Sequence, residues 1–174
     1  KDYARQQPPE MDDSIDINAV SAKAVGLVGN LIKKSTHNFQ ADYGTNIPAI
    51  SGNTQKIEQV IINLLVNACE ALTEADKAVH LSTAYDARRQ QVVIEVSDQG
   101  HGIPADALQH IRDPFFTTKR DDGGTGLGLA IAERIVQDHR GEMIFTSQKD
   151  QGTTVQLRLP STSEAETDIG GAYE

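Results

Sequence analysis

Four polar side chains fall in a row on one side of a helix predicted from the run QVIINLLVNACEAL, which begins at residue 59. Gln59, Asn63, Asn67 and Glu70 follow one another at steps of four, four and three, so they stack along one helix face. Asparagine is a mediocre helix former because its amide competes for backbone groups. The row fits an exposed polar stripe, and it equally fits oxygen donors that face a ligand or a hydrated cation such as Mg²⁺.

The apolar residues around this row predict one broad buried face of the same helix. They recur at helical spacing: Ile57, Val60, Ile61, Leu64, Leu65, Ala68, Ala71 and Leu72. The residues from Ser51 to Thr54 offer side chains that can cap this helix. The core therefore holds the polar row in place, and the neighbouring motifs must decide between the two interpretations.

A first glycine-rich segment follows a predicted strand and contains Gly100 and Gly102. Its spacing formally matches the dinucleotide-binding fingerprint with Ala105 in the last place. That interpretation fails because the next helix is short, and because Asp121 and Asp122, about twenty residues on, lie in a glycine loop and not at the end of a second parallel strand. Read without other motifs, the segment is as compatible with a tight turn.

A second glycine-rich segment, Gly123-Gly124-Thr125-Gly126-Leu127-Gly128, runs directly into an amphipathic helix. Glycines at alternating positions let backbone amides approach an anion, and a helix N-terminus adds its dipole and unpaired N–H groups. A flexible linker is the alternative, but linkers rarely continue directly into such a helix. The segment therefore favours phosphate binding.

The remaining periodicities predict the elements that position these motifs. Asp16 is expected to cap a helix that ends near Lys33 and Lys34, and the segment 39–43 alternates like a strand. Period-two runs predict a hairpin over 79–96 and a second one over 143–159. A short helix over 105–111, a loop over 112–125 and a helix from Gly126 to a stop at Gly141 complete the order.

This order predicts an α/β fold, a two-layer α/β sandwich with a mixed, mostly antiparallel sheet covered by helices on one face. The opposite face is expected to be solvated or docked on another domain. Residues 1–15 are predicted to be a linker, residues 16–160 the folded domain, and residues 161–174 an acidic disordered tail.

Composition limits the classes of function. The formal net charge of −9 and the pI near 5.0 argue against non-specific nucleic-acid binding, which needs a basic surface. A single cysteine, Cys69, rules out an internal disulfide framework and fits a cytoplasmic setting. No apolar run reaches the length of a membrane span. The chain begins with Lys1, which suggests a fragment, so a membrane anchor could lie upstream.

Five motifs follow one another along the chain: Asn63 with Asn67, Asp98-x-Gly100-x-Gly102-Ile103, Asp113-Pro-Phe115-Phe116-Thr117-Thr-Lys119, Gly124-Thr125-Gly126-Leu127-Gly128, and Gly152-Thr153-Thr154. In this order they resemble the N, G1, F, G2 and G3 boxes of sensor histidine kinases, in a form most similar to the nitrogen-regulator-like branch. The resemblance spans roughly residues 16–160 and implies the Bergerat ATP-binding fold, shared with gyrase-type ATPases and certain chaperones.

The resemblance also implies ligands and roles. Mg²⁺ would bind the side-chain oxygen of Asn67, Asn63 would lie beside the phosphates of ATP, Asp98 would accept from the adenine amino group, and Thr153 would support Asp98 or its bridging water. The loop 104–125 would be a lid over ATP, in which Lys119 is either a solvated lysine or a cation on the terminal phosphate. Phe115 and Phe116 are expected to anchor this loop, at least one of them in the core. The expected catalytic residues are Asn63, Asn67 and Lys119, and the other expected contacts of the nucleotide are Glu70, Gly100, Gly102, Ile103, Phe116, Thr117, Gly124, Thr125, Gly126, Leu127 and Gly128.

Related gyrase-type ATPases carry a water-activating Glu where this chain has Asn63, which favours phosphoryl transfer over hydrolysis. No histidine here is followed by an acidic residue, as the acceptor of such kinases is, and all five are expected in surface or turn positions. The acceptor is therefore expected on a separate dimerisation helix domain of a homodimeric protein, with relay to a response regulator and this fragment a monomer. The alternatives are a protein-serine kinase or ATPase of the same fold, or a non-catalytic nucleotide-binding module.

Overall fold

A computed structural model describes Met11, residues 13–113 and residues 128–162. Within these residues the chain forms seven strands and five helices. In order they are β1 (Asp13–Ile15), α1 (Ile17–Leu27), α2 (Gly29–Ser35), β2 (Asn38–Asp42), β3 (Ile50–Gly52), α3 (Thr54–Ala71), β4 (Ala78–Asp86), β5 (Gln91–Asp98), α4 (Ala105–Leu108), α5 (Gly128–Asp138), β6 (Glu142–Gln148) and β7 (Gly152–Pro160).

The main sheet has five strands in the order β2-β4-β5-β7-β6. Only the β2–β4 pair is parallel among the described strands, and both expected hairpins, β4–β5 and β6–β7, are present. The prediction of a mixed, mostly antiparallel sheet is therefore confirmed. The short strands β1 and β3 form a separate antiparallel pair, which was not predicted from the sequence.

Helices cover one face of the sheet, and α3 lies at the centre of the core, where it packs against α1, α5 and β5. Its Ile61 and Leu65 are fully buried, as are Leu81, Ile94 and Leu157 from the sheet. The opposite face is polar. It carries cross-strand contacts that include Glu95 with Gln156 at 3.1 Å, Ser97 with Thr154 at 3.1 Å and Asp86 with Arg158 at 3.1 Å.

The expected first helix is in fact two helices. Asp16 caps α1 as predicted, because its carboxylate accepts from the Ala19 backbone amide at 3.2 Å. The helical backbone then breaks at Val28, between α1 and α2. Leu27, the last residue of α1, is 61 % exposed, and Ile32 is the buried residue of α2. The prediction of one continuous helix from Asp16 to the Lys33–Lys34 pair was therefore wrong.

The folded part of the chain begins before Asp16, so the expected linker boundary at residue 15 needs correction. The side chain of Ile15 is 1 % exposed in the core, and the Asp13 carboxylate accepts from the backbone amide and the hydroxyl of Thr54 at 3.2 and 2.9 Å. At the other end, Ser161 and Thr162 still donate backbone hydrogen bonds to Gln90 and Ala49. The acidic tail beyond them lies outside the described residues.

Candidate nucleotide site

The asparagine row lies on α3 at the border between core and surface. Asn53 caps the helix, since its side chain accepts from the Lys56 backbone amide at 3.0 Å. The predicted apolar face is buried, and within the row Asn63 and Asn67 are half-buried while Glu70 is exposed. The two central amides are therefore held by the packed helix but remain accessible from one side.

The start of α5 lies beside this row. The Asn63 amide nitrogen donates a long hydrogen bond of 3.4 Å to the carbonyl oxygen of Gly128, the first residue of α5. The N box and the end of the G2 box, which are 65 positions apart in the chain, thus meet in space. This juxtaposition is what a phosphate site between them requires.

The G1 turn leaves β5 against the C-terminal end of α3. Asp98 is 8 % exposed, and its Oδ1 accepts from the Gly100 backbone amide at 2.8 Å. The next amide, that of His101, donates to the Ala71 carbonyl at 2.9 Å. A side chain at Gly100 would collide with that same carbonyl, so the close approach of the turn to α3 needs glycine here.

Two further glycines join the G1 turn to the β6–β7 hairpin. Gly102 has φ +67° and Gly152 has φ +104°, which is the left-handed region that favours glycine. A Cβ at Gly102 would collide with the Gln148 carbonyl, and one at Gly152 would collide with the Asp98 carbonyl. The Asp150 amide also donates to the His101 carbonyl at 2.6 Å.

Three polar side chains form a row across the sheet at the G1 turn. Asp98 on β5 is directly opposite Thr153 on β7, which is directly opposite Ser147 on β6, so all three project from the same sheet face. The Ser147 hydroxyl lies 2.8 Å from the Thr153 hydroxyl and accepts from the Ile103 backbone amide at 2.8 Å. Ser147 was not among the predicted site residues, although it lies in the predicted hairpin, where the observed register pairs it with Thr153.

Cys69 lies on α3 next to these groups and is 4 % exposed. Burial raises the pKa of its thiol, a hydrogen bond with Ser35 opposes this effect, and the Glu70 and Asp98 carboxylates raise the pKa further. A raised pKa keeps the thiol protonated, so Cys69 acts as a small apolar residue of the core and not as a nucleophile.

One histidine contradicts the expectation that all five occupy surface or turn positions. His139 is 5 % exposed, its Nδ1 donates to the Ile135 carbonyl at 2.7 Å, and its Nε2 accepts from the Asn53 backbone amide at 3.0 Å. Because a carbonyl only accepts and an amide N–H only donates, this pairing selects the neutral tautomer with the proton on Nδ1.

A groove of about 630 Å³ lies between α4, α5 and β6, away from the asparagine row and the G1 turn. Arg112 crosses it, with its guanidinium 5.2 Å from the centre of the Phe145 ring and a hydrogen bond to the Met143 carbonyl. None of the described residues expected to contact nucleotide lines this groove, so it is not the candidate nucleotide site.

The model of the histidine kinase-, DNA gyrase B- and HSP90-like ATPase family matches residues 52–163. That segment is more than half of the chain and contains all five boxes. The chain belongs to this family.

Relatives within this ATPase family agree with the motifs. Over 176 residues the chain is 37 % identical to the sensory histidine kinase/phosphatase NtrB of Azospirillum brasilense, a match that covers 94 % of the chain and 43 % of the relative. It is also 31 % identical to sporulation kinase E of Bacillus subtilis, over 86 % of the chain and 20 % of that protein. The chain thus spans less than half of the length of these curated relatives.

The fold agrees as well. The nucleotide-free catalytic domain of histidine kinase ThkA superposes with a TM-score of 0.74 at 26 % identity, over 86 % of this chain and 95 % of that one. The predicted family and the α/β sandwich are therefore confirmed, and the similarity to NtrB agrees with the nitrogen-regulator-like form of the motifs.

The described residues include only part of the candidate nucleotide site. The expected contacts Phe115, Phe116, Thr117, Lys119, Gly124, Thr125, Gly126 and Leu127, with most of the expected lid, lie outside the described residues. The structure does bring together Asn63 with Gly128, and Asp98 with Gly100, Gly102, Ile103 and Thr153. Their roles toward a nucleotide remain predictions.

The donors on α3 fit Mg²⁺ but do not form a protein cage around it. Among residues 13–113 and 128–162 there is no cluster of three or more His, Cys, Asp and Glu side chains that could hold a metal. Asn67 supplies an amide oxygen, the hard donor type that Mg²⁺ prefers, and this ion commonly takes only one or two protein ligands beside phosphates and water. The residues present fit such an arrangement.

Proposed function

We propose that this chain is the catalytic and ATP-binding domain of a two-component sensor histidine kinase. It binds Mg²⁺-ATP and transfers the γ-phosphoryl group to a histidine on a separate dimerisation helix domain, from which the group passes to a response regulator. Family membership and the kinase relatives support this function, and the geometry of the Asp98 turn carries it at the level of residues.

The buried Asp98 carboxylate lies at the end of β5, and the Gly100 amide holds one of its oxygens. A fixed acceptor of this kind suits the exocyclic amino group of adenine, whereas guanine presents a carbonyl at the same position. With guanine in the site, the Asp98 carboxylate would face the guanine carbonyl and would lack a hydrogen-bond donor. We therefore expect the site to prefer adenine.

Asn63 supports transfer over hydrolysis. Its amide can donate and accept hydrogen bonds but cannot take a proton from water, so it cannot serve as a general base. Its amide nitrogen already points toward the Gly128 carbonyl, which places the group beside the glycine segment expected to hold the phosphates. Asn63 would therefore position phosphate, and the acceptor would come from outside the domain.

Phosphoryl transfer needs mainly positioning and charge neutralisation. In this proposal Asn67 would hold Mg²⁺, which would neutralise charge on the phosphates, and Asp98 would orient the adenine. Glu70 is a further proposed contact of the nucleotide. Lys119, which lies outside the described residues, is another.

The partners follow from the missing acceptor. No histidine of the chain is followed by an acidic residue, and His139, the only fully buried one among the described histidines, is used in a helix contact. The proposed acceptor therefore lies on upstream helices of a homodimer, with this domain monomeric by itself.

The described helices include none long and apolar enough to cross a membrane. A cytoplasmic location remains part of the proposal.

Titration calorimetry with Mg²⁺-ATP tests the nucleotide site. The unmodified chain is expected to bind ATP, Asp98→Ala to lose binding, and Asn67→Ala to lose the dependence on Mg²⁺. Gln59→Ala, at the exposed start of the same row, is the matched control and should bind as the unmodified chain does. Absence of ATP binding by the unmodified chain would refute the proposal.

A longer chain that includes the upstream helices tests the transfer. Incubation with labelled ATP should give a phosphorylated product that is lost in acid, as phosphohistidine is. An acid-stable product would instead support the protein-serine kinase alternative, and ATP turnover without a phosphorylated protein would support the ATPase.

A further inference from the structure

The Ser147 hydroxyl lies at the end of the polar row that starts at Asp98. It has three polar contacts, but it has one proton and can donate to only one of them. It accepts from the Ile103 amide at 2.8 Å, and it lies 2.8 Å from the Thr153 hydroxyl and 3.0 Å from the Gly152 carbonyl. A hydroxyl has one proton and two lone pairs. The Ile103 N–H takes one lone pair, so the single proton of Ser147 must go to Thr153 or to Gly152.

This choice decides what Thr153 presents to its neighbours. If Ser147 donates to Thr153, the proton of Thr153 is available for an acceptor on the Asp98 side of the row. If Ser147 donates to the Gly152 carbonyl, Thr153 must donate back to Ser147 and presents only lone pairs. Only the second arrangement makes all three contacts of Ser147 hydrogen bonds, because Thr153 then donates across the 2.8 Å contact and the Gly152 carbonyl accepts the Ser147 proton at 3.0 Å.

We propose that Ser147 is a positioning residue for adenine recognition: its hydroxyl accepts the Thr153 proton, so that Thr153 presents its lone pairs beside Asp98 as a second acceptor for the amino group of adenine, and it fixes the Gly102–Ile103 turn through the Ile103 amide. The inference rests on the proposed function, because it assigns Ser147 to the base-binding end of the same nucleotide site. Ser147 does not touch the nucleotide in this proposal and acts only through Thr153 and the turn.

A comparison of ATP with purine riboside triphosphate, which lacks the 6-amino group of adenine, tests this role. Calorimetry on the full chain gives the ratio of the two dissociation constants, which measures recognition of the amino group. In Ser147→Ala this preference for ATP should fall by about fivefold, the factor that one ordinary hydrogen bond is worth. Ser147→Thr keeps a hydroxyl and should retain the preference.

The ratio separates positioning from stability. A purely structural hydroxyl would lower the melting temperature and weaken both nucleotides by the same factor, so an unchanged ratio in Ser147→Ala would overturn the inference. Thr146→Ala, on the same strand with its side chain on the other sheet face, is the matched control and should keep the unmodified ratio.

A Ser147→Cys variant covers the case in which the alanine variant does not fold. It preserves the shape of the side chain but hydrogen-bonds weakly, so it should lose the preference, and a ratio like that of the unmodified chain would also refute the proposal. Failure of the unmodified chain to bind ATP would instead refute the proposed function, so the two failures are distinguishable.

Discussion

At the scale of single residues, two glycines allow the backbone of the turn after Asp98 to pack closely against the backbone of the β6–β7 hairpin. Gly102 and Gly152 both have positive φ, and each lies where a Cβ would collide with a carbonyl oxygen of the facing segment. A larger residue at either position would be strained for two reasons: the positive φ disfavours any residue with a Cβ, and the Cβ would collide with the carbonyl. Neither glycine can therefore be replaced without movement of the turn.

Gly102→Ala is expected to lower the free energy of unfolding by more than about 1 kcal/mol and to weaken ATP binding, because the turn after Asp98 must shift. Gly26→Ala is the control. Gly26 lies in α1, and no atom of another residue lies within 4 Å of the position that a Cβ would take, so alanine there should raise stability by roughly 0.5–1 kcal/mol. Urea unfolding of both variants checks the opposite signs, and equal stability of Gly102→Ala and the unmodified chain would contradict the structure.

Asp42 gives a prediction for pH. Its hydrogen bonds with His80, at 2.7 Å, and with Gln40 lower the pKa of the Asp42 carboxyl from 3.8. A lowered pKa in the folded state means that the stabilisation is present above pH 3.8 and is lost as the pH falls through the folded-state pKa. The contribution is small because the pair is exposed.

Unfolding in urea at pH of about 5 and about 2 measures this loss. The unmodified chain should lose more stability between the two values than Asp42→Asn, which has no carboxylate to protonate. Asp76→Asn, at another exposed carboxylate, should lose as much as the unmodified chain. Identical losses in Asp42→Asn and the unmodified chain would show that the pair contributes nothing.

At the scale of elements, His139 joins the two helices that carry the candidate phosphate site. It follows α5, and through Nε2 it accepts from the amide of Asn53, the residue that caps α3. The contact is tight, because a side chain at Gly52 would collide with the imidazole ring. The joint therefore fixes the end of α5 against the start of α3, while the Asn63–Gly128 contact joins the start of α5 to the middle of α3.

His139→Ala should destabilise the domain by about 2–3 kcal/mol, because it leaves a cavity and removes the acceptor of a buried amide. His37→Ala, at an exposed histidine, should change stability by less than about 0.5 kcal/mol. Thermal unfolding measures both. Similar melting temperatures for the two variants would argue against a structural joint at His139.

At the scale of the whole molecule, the first described strand belongs to the core although it precedes the first helix. Ile15 of β1 is buried, and the Asp13 carboxylate holds the first residue of α3. Strand β1 thus holds the N-terminal end of α3, the helix that carries the asparagine row. The stability of the domain therefore depends on residues that were predicted to belong to a linker.

Two truncated chains test this dependence. A chain that begins at Asp16 should lose roughly 2 kcal/mol or more of stability, because it lacks the buried Ile15 side chain and the Asp13 contacts. A chain that begins at Asp13 keeps both and should unfold at higher urea concentration. If both truncations unfold at the same concentration, β1 contributes nothing to the domain.

The sequence by itself determined the features that depend on local periodicity and on motif chemistry. The helical repeat of α3, the two hairpins and the cap at Asp16 follow from patterns within one segment, and the ordered boxes identified the ATPase family. Local rules failed where another segment decided the outcome. The helical backbone breaks at Val28, although the predicted helix continues to Lys33 and Lys34, and Arg140, not the predicted helix stop Gly141, has positive φ after α5.

Only the tertiary structure decided the contacts between segments that are distant in the chain. Gly141 is required by its close approach to the Arg158 carbonyl, β1 is a strand because β3 lies beside it, and His139 is buried because the start of α3 covers it. Ser147 acquires its neighbours only when β6 pairs with β7 and the G1 turn folds onto the hairpin. The physical reason is that such contacts depend on chain packing, whereas periodicity and capping act within a few residues.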